Sequence, residues 1–338
     1  MIRIGIDPNI LTSPVLLSWH GFLTFVAVAV AVVLVARWGR RLNIDADTVY
    51  DVAVWVIIGG IVGARAVHVI DRWDFYGQNP GQILAIWQGG IALYGAVLFG
   101  FLGGAMYLWG GQLLARMHEG EKVPWWKIAA VFVPHIVLSA GLGLIFGGVF
   151  RLLVWLKNHK TNPYMALKDA SVGRLADITA PALIIAQMIG RVGDIINGEH
   201  FARATNLPWG FTYTHATTIN LYRYAPSEIS ALLPTHPVAV YEILWDAVVL
   251  GTVWMLRGRL APSGMLFALY LMLYSLGRFF IQFIRLDRVW FAGLQEAHVI
   301  ALIVMAITVS LLAARARWVP QIATPAKTPR PRRRRTRA

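Results

Sequence analysis

The sequence predicts an all-α integral membrane protein with about seven transmembrane helices, and three observations support this prediction. Of its 338 residues, 57% are hydrophobic and only 14% are charged, whereas about one quarter of a typical soluble domain is charged. Apolar runs of about 20 residues, long enough to cross a bilayer, recur between short polar segments. Cysteine is absent, which excludes a disulfide framework, a thiolate metal site and a cysteine nucleophile.

Each apolar run is interpreted as one membrane span. Residues 1–13 precede the first run as a short polar lead, without the apolar region of a cleavable signal peptide. The third run is rich in glycine, which favours close packing between helices. The predicted spans cover residues 15–36, 52–70, 90–109, 178–196, 238–256, 265–284 and 298–314.

The membrane domain is predicted over residues 1–315. Three segments of the chain do not fit the pattern of single spans. Residues 116–173 form an atypical apolar insert after the third span, interpreted as a re-entrant or in-plane hairpin with two basic flanks. Residues 198–235 are mostly polar and are predicted to form a small extracytoplasmic cap. The basic tail, residues 316–338, is predicted to be disordered and to bind anionic lipid, with no nucleic acid as partner.

The basic segments predict how the chain is oriented in the membrane. Residues 37–41, residues 257–259 and the tail all fall on one side if the N-terminus is outside and the C-terminus is cytoplasmic. Counting the insert as a single span would place them on opposite sides. The expected topology is therefore seven spans, with the end of the fourth span at the outer leaflet.

Charged and amide side chains gather at the span ends that this topology places at the outer leaflet. The densest stretch is AQMIGRVGDIINGEHF, residues 186–201. Because charge in a membrane is costly unless it binds something polar, this clustering predicts a binding site. The planar guanidinium of arginine can donate paired hydrogen bonds to the oxygens of a phosphate group, so we expect the site to bind an anionic phospholipid head group. The candidate site residues are His20, Arg65, Tyr94, Arg191, Asp194, Asn197, Gly198, Glu199, His236, Glu242, Arg278 and Gln282.

Several candidates also have a purely structural interpretation. Arg278 can pair with Glu242 and Arg191 with Glu199, because charges inside a membrane commonly pair with one another. The amides in the set can equally be helix-packing groups. His20 can be an interfacial anchor as well as a site residue.

The stretch GRVGDIINGE, residues 190–199, resembles the signature of the prolipoprotein diacylglyceryl transferase family, G-R-x-G-N-F-x-N-G-E. The similarity covers roughly residues 10–105 and 174–315 and leaves out the insert and the tail. Weaker elements surround the signature in the family's order: W-H-G at 19–21, G-A-R at 63–65, W-Q-G-G at 87–90, D-x-x-x-P at 177–181, H-P-x-x-x-Y-E at 236–242 and G-R-F at 277–279.

This resemblance implies a seven-helix enzyme of the bacterial inner membrane that needs no metal or cofactor. Such enzymes move the diacylglyceryl group of phosphatidylglycerol to the lipobox cysteine thiol of a prolipoprotein, the first step of lipoprotein maturation, and glycerol-1-phosphate leaves. Carried over by position, Arg191, Asn197, Gly198 and Glu199 are signature residues. Arg278 is then the second arginine that holds the phosphate and stabilises the charge developing on it.

Four positions depart from the family's pattern. Tyr94 stands where the family usually has a histidine, a candidate base, and His20 stands where tyrosine is usual. Asp194 replaces the signature asparagine and Gln282 a glutamate. The proton acceptor is therefore open between Tyr94 and His20. The same changes favour, as an alternative, a diverged non-catalytic member that binds phospholipid or lipoprotein precursor. A lipid transporter or scaffold is a third interpretation, but the sequence lacks the internal repeat expected of a transporter.

Overall fold

The computed structural model describes residues 1–13, 17–85, 92–130, 171–198, 200–227, 229–287 and 289–320. Within these ranges, 7 helices are long and apolar enough to cross a membrane, which confirms the predicted number. The long helices are α1 (Trp19–Gly39), α2 (Ala46–Asp71), α4 (Leu93–His118), α5 (Val172–Asn197), α7 (Val238–Leu256), α8 (Met265–Gln282) and α9 (Glu296–Arg315), and the short ones are α3 (Trp73–Tyr76) and α6 (Ala216–Leu221).

Several helices extend beyond the apolar runs that predicted them. α2 begins at Ala46 rather than at residue 52, and α5 begins at Val172 rather than at residue 178. At α5 a capping group, and not hydropathy, sets the start of the helix. The Ser171 hydroxyl accepts a hydrogen bond from the backbone N–H of Arg174 at the start of α5, and a serine before α1 does the same.

The glycines of the third span allow α2 and α4 to pack closely, as predicted. A Cβ atom on Gly95 would lie 2.2 Å from the carbonyl oxygen of Gly63. Only residues without a side chain permit this approach, in which the two helix backbones touch. The backbone N–H of Ala92, just before α4, also donates to the carbonyl of Ala64 at 2.9 Å. The beginning of α4 is therefore fixed against the last turns of α2.

Consecutive membrane helices run in opposite directions, and their polar ends lie at the same side of the bundle. Gly193, near the end of α5, packs against His20 at the start of α1. At the other side, the Asp177 carboxylate accepts hydrogen bonds from the backbone N–H groups of Gly264 at 2.8 Å and Phe267 at 3.0 Å. This carboxylate caps the start of α8, so α5 and α8 run in parallel. The D-x-x-x-P element therefore stabilises the fold at the side opposite to the polar ends.

Short strands connect the loops at the two sides of the bundle. β1 pairs in parallel with β4, with Ile2 opposite Phe211, so the polar N-terminal lead forms part of the cap, which the sequence did not predict. The other pairs, β2 with β3, β5 with β8 and β6 with β7, are antiparallel. The strands are β1 (Ile2–Ile4), β2 (Asn9–Leu11), β3 (Leu17–Ser18), β4 (Phe211–Tyr213), β5 (Leu260–Ala261), β6 (Val289–Phe291), β7 (Leu294–Gln295) and β8 (Arg317–Trp318).

The cap encloses a small apolar core of its own. Ile4, Phe211, Tyr213, Tyr222 and Ile229 are buried together there, beside the end of α5. Two predictions concern residues outside the described ranges. The centre of the insert, residues 131–170, and most of the basic tail, residues 321–338, fall there.

Candidate functional site

Polar side chains from α1, α5, α7 and α8 meet at the cap side of the bundle. His20 lies in the first turn of α1, and Glu242 lies near the start of α7. Arg191 and Asp194 lie near the end of α5, and Arg278 lies near the end of α8. We refer to the polar centre as the side chains of His20, Arg191, Asp194, His200, Glu242 and Arg278. The predicted convergence is thus present for the residues of these four helices.

Glu242 bridges Arg191 and Arg278. Its Oε2 atom lies 2.7 Å from Nε of Arg191, and its Oε1 atom lies 2.5 Å from Nη1 of Arg278. The glutamate side chain is only 6% exposed, whereas those of Arg191 and Arg278 are 16% and 18% exposed. The Arg278–Glu242 pair is the one that the sequence allowed. The same acid also serves Arg191; Glu199, the partner considered for it, lies outside the described residues.

Both arginines keep donor groups that these ion pairs do not use. Arg191 also donates from Nη1 to Oδ2 of Asp194 at 2.8 Å. Within the described ranges, no hydrogen bond or ion pair engages Nη2 of Arg191, or Nε and Nη2 of Arg278. A guanidinium carries five N–H donors in a rigid fork. The arrangement can therefore present two oriented forks to an anion while both arginines stay anchored.

Asp194 holds two histidines from different parts of the chain. Its Oδ1 atom lies 2.7 Å from Nδ1 of His20, and its Oδ2 atom lies 3.0 Å from Nε2 of His200. The approach of α1 depends on Gly193, because a Cβ atom there would lie 2.7 Å from Cα of His20. His20 therefore contacts a buried carboxylate of α5 while its own side chain stays 42% exposed.

A second network extends the polar centre toward the α8–α9 connection. Nη2 of Arg285 lies 3.2 Å from Nδ1 of His200, and its Nε donates to Oδ2 of Asp287 at 2.8 Å. Gln282 is fully buried and donates to Asp287 at 2.7 Å and also to Gln295. Burial by itself would raise the pKa of Asp287, but the charge and hydrogen bonds of Arg285, the hydrogen bond from Gln282 and the charge of Arg278 together hold that pKa below its usual range. Gln282, predicted to bind substrate, is thus engaged in holding this connection in place.

Arg65 lies apart from the contacts of the polar centre. Its guanidinium donates to the carbonyl oxygens of Gln82 at 2.6 Å and Ile83 at 2.8 Å, and it lies over the ring of Tyr76, 5.0 Å from the ring centroid. These contacts fix the loop between α3 and α4. Tyr94 begins α4 in the same region, but its side chain lies outside the described part of the chain.

His236 lies beside the polar centre. Nδ1 of His236 is 3.2 Å from the Tyr241 hydroxyl, and burial lowers the pKa of the imidazole. With Asp194 and His200 it lines a cavity of about 20 Å³, which is room for about one water molecule. The remaining signature residues close α5. Asn197 is buried, and Gly198 adopts the left-handed conformation, with φ 69°, that terminates the helix.

Sequence reasoning missed two buried polar residues that lie about one and about two helical turns deeper in the membrane than Glu242 and Arg278. Asp246 is buried on α7, four positions after Glu242, and Tyr270 is buried on α8, eight positions before Arg278. Spacing by four places residues on one helical face. The spacing of four between Glu242 and Asp246, and of eight between Tyr270 and Arg278, is a sequence signal from which these residues could have been identified.

An open apolar groove lies between the two helices that carry Glu242 and Arg278. Its volume is about 460 Å³. Side chains from one face of α7 and from the end of α8 form its walls. They are those of Tyr241, Leu244, Trp245, Val248, Phe280, Ile281 and Ile284.

Comparison with known families identifies a match that spans most of the chain. A sequence profile described as "Prolipoprotein diacylglyceryl transferase" matches residues 8–150 and 140–314. The match extends through the insert, which the motifs had left outside the resemblance. Motifs mark polar positions, and the insert has a largely apolar run without a distinctive pattern.

Several curated relatives carry one name, phosphatidylglycerol–prolipoprotein diacylglyceryl transferase. The relative from Nostoc sp. is 31% identical over 323 residues, which cover 93% of this chain and 92% of the relative. The relative from Trichormus variabilis is 31% identical over 295 residues, 86% of this chain and 82% of the relative. The relative from Limosilactobacillus reuteri is 28% identical over 295 residues, 86% of this chain and 84% of the relative.

Proposed function

The chain belongs to the prolipoprotein diacylglyceryl transferase family and is a membrane transferase of lipoprotein biosynthesis, and we propose that the polar centre is where the transfer takes place. The donor is phosphatidylglycerol and the acceptor is a prolipoprotein. The acceptor atom is the thiol sulfur of the lipobox cysteine. The bond between the glycerol carbon and the phosphate oxygen breaks, a thioether forms, and glycerol-1-phosphate leaves.

One observation carries this proposal: a single buried glutamate holds two arginines at the same point. Glu242 contacts both Arg191 and Arg278. The leaving group is a phosphate monoester, on which negative charge grows as the carbon–oxygen bond breaks. Oriented guanidinium donors stabilise such charge most when they are fixed before the reaction begins. Glu242 thus acts as a spacer that holds the two guanidinium groups at a fixed separation. The remaining donors of both arginines bind the phosphate.

The apolar groove between α7 and α8 supports a lipid substrate. It runs beside the two helices that carry Glu242 and Arg278, so an acyl chain in the groove would bring the attached head group to the arginines. The walls are apolar side chains, which suit a hydrocarbon chain. No described helix offers the unwound segment near its middle that would favour a transporter.

Purified protein in detergent, given labelled phosphatidylglycerol and a lipobox peptide, tests the proposal. We expect label on the peptide cysteine and release of glycerol-1-phosphate. Binding of phosphatidylglycerol without transfer would support the non-catalytic binder instead. The change at Gln282 gives little support to that alternative, since this side chain is buried and bonded to Asp287.

We further propose that the N-terminus is outside, the C-terminus is cytoplasmic, and the basic tail binds anionic lipid of the inner leaflet. Deleting residues 320–338 should leave transfer largely intact, because the polar centre lies at the opposite side of the bundle from the end of α9. Rates of transfer for the full and shortened chains in the same vesicles measure this. A shortened chain that is folded but inactive would contradict the assignment of the tail to lipid binding alone.

A further inference from the structure

The apolar groove between α7 and α8 takes part of its wall from the indole ring of Trp245. Trp245 follows Glu242 by three positions on α7, which places it about 4.5 Å deeper along the helix axis. We propose that Trp245 determines which acyl chains of the lipid donor the enzyme accepts. The inference rests on the proposed function, and it assigns recognition of the hydrocarbon part of the phospholipid to one side chain.

Contacts with α8 fix the orientation of this indole ring. Its Nε1 atom donates to the carbonyl oxygen of Leu273 at 2.9 Å, and an indole has no second donor. A Cβ atom on Gly277 would overlap the five-membered ring of Trp245. The ring therefore fills space that a residue with a side chain would take, directly before Arg278 in the sequence. At this depth the groove has a rigid wall.

The surface of the groove is hydrocarbon, because the polar atoms of its walls are already engaged. The Tyr241 hydroxyl accepts a hydrogen bond from Nε1 of Trp209 at 2.9 Å and lies 3.2 Å from Nδ1 of His236. Nε1 of Trp245 is bonded to α8, as described above. The remaining walls are aliphatic side chains and one phenylalanine. Such a surface suits a hydrocarbon chain and offers little to a polar ligand.

The dimensions of the groove favour an acyl chain over a peptide helix. Tyr241 and Val248 mark its extent along α7, and seven positions span about 10 Å. The hydrocarbon of one leaflet is about 15 Å deep, half of a bilayer core, so the groove covers about two thirds of that depth. Because α7 and α8 touch at Trp245 and Gly277, the furrow between them is narrower than a helix, which is about 10–12 Å wide. Leu244 at its rim is 60% exposed, so a chain can enter from the bilayer.

A rigid wall selects chains by their shape. A straight chain can pack along the flat face of the indole, whereas methyl branches on the chain would overlap it. Displacing the ring to make room would break its hydrogen bond to Leu273 and its packing against Gly277, and overfilling a packed site is costly. We therefore expect the enzyme to prefer straight chains over methyl-branched chains, and Trp245 to impose this preference.

The test measures transfer to a lipobox peptide from straight-chain dimyristoyl-phosphatidylglycerol and from methyl-branched diphytanoyl-phosphatidylglycerol, in mixed micelles of fixed detergent content. Trp245→Ala should raise KM for the straight-chain lipid by about 10-fold, since the chain loses contact with an aromatic side chain. The ratio of kcat/KM for branched over straight lipid should rise in this variant. In Gly277→Ala the new methyl group pushes the indole into the groove, so the same ratio should fall. A general loss of packing does not shift one ratio in opposite directions.

Inhibition by glycerophosphoglycerol, the deacylated head group, separates this role from support of the arginines. Its inhibition constant should be the same for Trp245→Ala and the wild type, because the contacts of Glu242 with Arg191 and Arg278 do not involve the indole. Trp245→Phe is the second variant, in case the alanine variant does not fold. It keeps an aromatic ring and loses the N–H donor, so its ratio should shift in the same direction as that of Trp245→Ala, but less.

Trp254→Ala is the matched control, because Trp254 lies on the same helix at the opposite side of the bundle, against Trp38. Its ratio should equal that of the wild type. Unchanged ratios in the Trp245 variants, or an inhibition constant that rises in parallel with KM for the lipid, would overturn the inference. A rise confined to KM for the peptide would also overturn it and would assign the groove to the acceptor. A wild-type chain that transfers no label would overturn the proposed function instead.

Discussion

Replacing Arg278 by alanine should lower the rate of transfer by about 10³-fold or more and leave the chain folded in the membrane. Losing one fixed donor to a developing anion costs roughly 10²- to 10³-fold in other enzymes, and a guanidinium supplies more than one donor. The fold should survive because Glu242, the buried partner of Arg278, keeps its contact with Arg191 at 2.7 Å. The carboxylate is therefore not left without a counter-ion.

The rate of labelled diacylglyceryl transfer and the unfolding temperature in detergent measure the two parts of this prediction. Arg278→Lys keeps the charge and loses the planar fork, so it should recover only part of the activity. Arg203→Ala is the matched control, because Arg203 is an exposed arginine at the same side of the bundle. An Arg278→Ala chain with near-normal turnover would exclude the phosphate-binding role.

Replacing Glu242 by glutamine should damage both stability and turnover. The glutamate is 6% exposed and pairs with two arginines, so its loss leaves two guanidiniums close together without their shared counter-ion. Breaking a buried ion pair from one side costs about 3–5 kcal/mol. Turnover should fall by about 10²-fold, since the arginines no longer have a fixed separation.

This variant has a further expected property that a general loss of packing would not produce. Phosphatidylglycerol should raise the unfolding temperature of Glu242→Gln more than that of the wild type, because the phosphate supplies the missing negative charge. Glu296→Gln, an exposed acid at the start of α9, serves as the control for removing a carboxylate. Equal stabilisation of the Glu242 variant and the wild type by lipid would contradict the spacer role.

Much of the architecture was predictable because a membrane limits the backbone conformations that can cross it. A backbone in hydrocarbon must satisfy its hydrogen bonds internally, so each apolar run of sufficient length becomes a helix. The number of spans followed from the apolar runs, and the glycine-rich third run predicted close helix packing, which the approach of Gly63 to Gly95 confirms. The choice of Arg191 and Arg278 as candidate site residues also followed from the sequence, because charged side chains inside a membrane are rare and costly.

Helix ends and the N-terminal lead were harder to predict. α5 begins at Val172 because Ser171 caps it, and capping depends on one hydroxyl rather than on a long pattern. The lead pairs with β4 from Ile2 opposite Phe211, a partner more than 200 positions away. Strand pairing over such a distance leaves no local signal in a three-residue segment.

The sequence by itself thus determined the helices, their apolar lengths and the residue types gathered at one side of the membrane. Only the tertiary structure decided which of those residues touch. Arg191 contacts Glu242, and Arg65 turns to loop carbonyls instead of joining the polar centre. His20 reaches Asp194 because Gly193 has no side chain that would hold α1 away from α5. Hydropathy fixes how long a helix is, but the rotation and separation of neighbouring helices depend on packing between residues far apart in the chain.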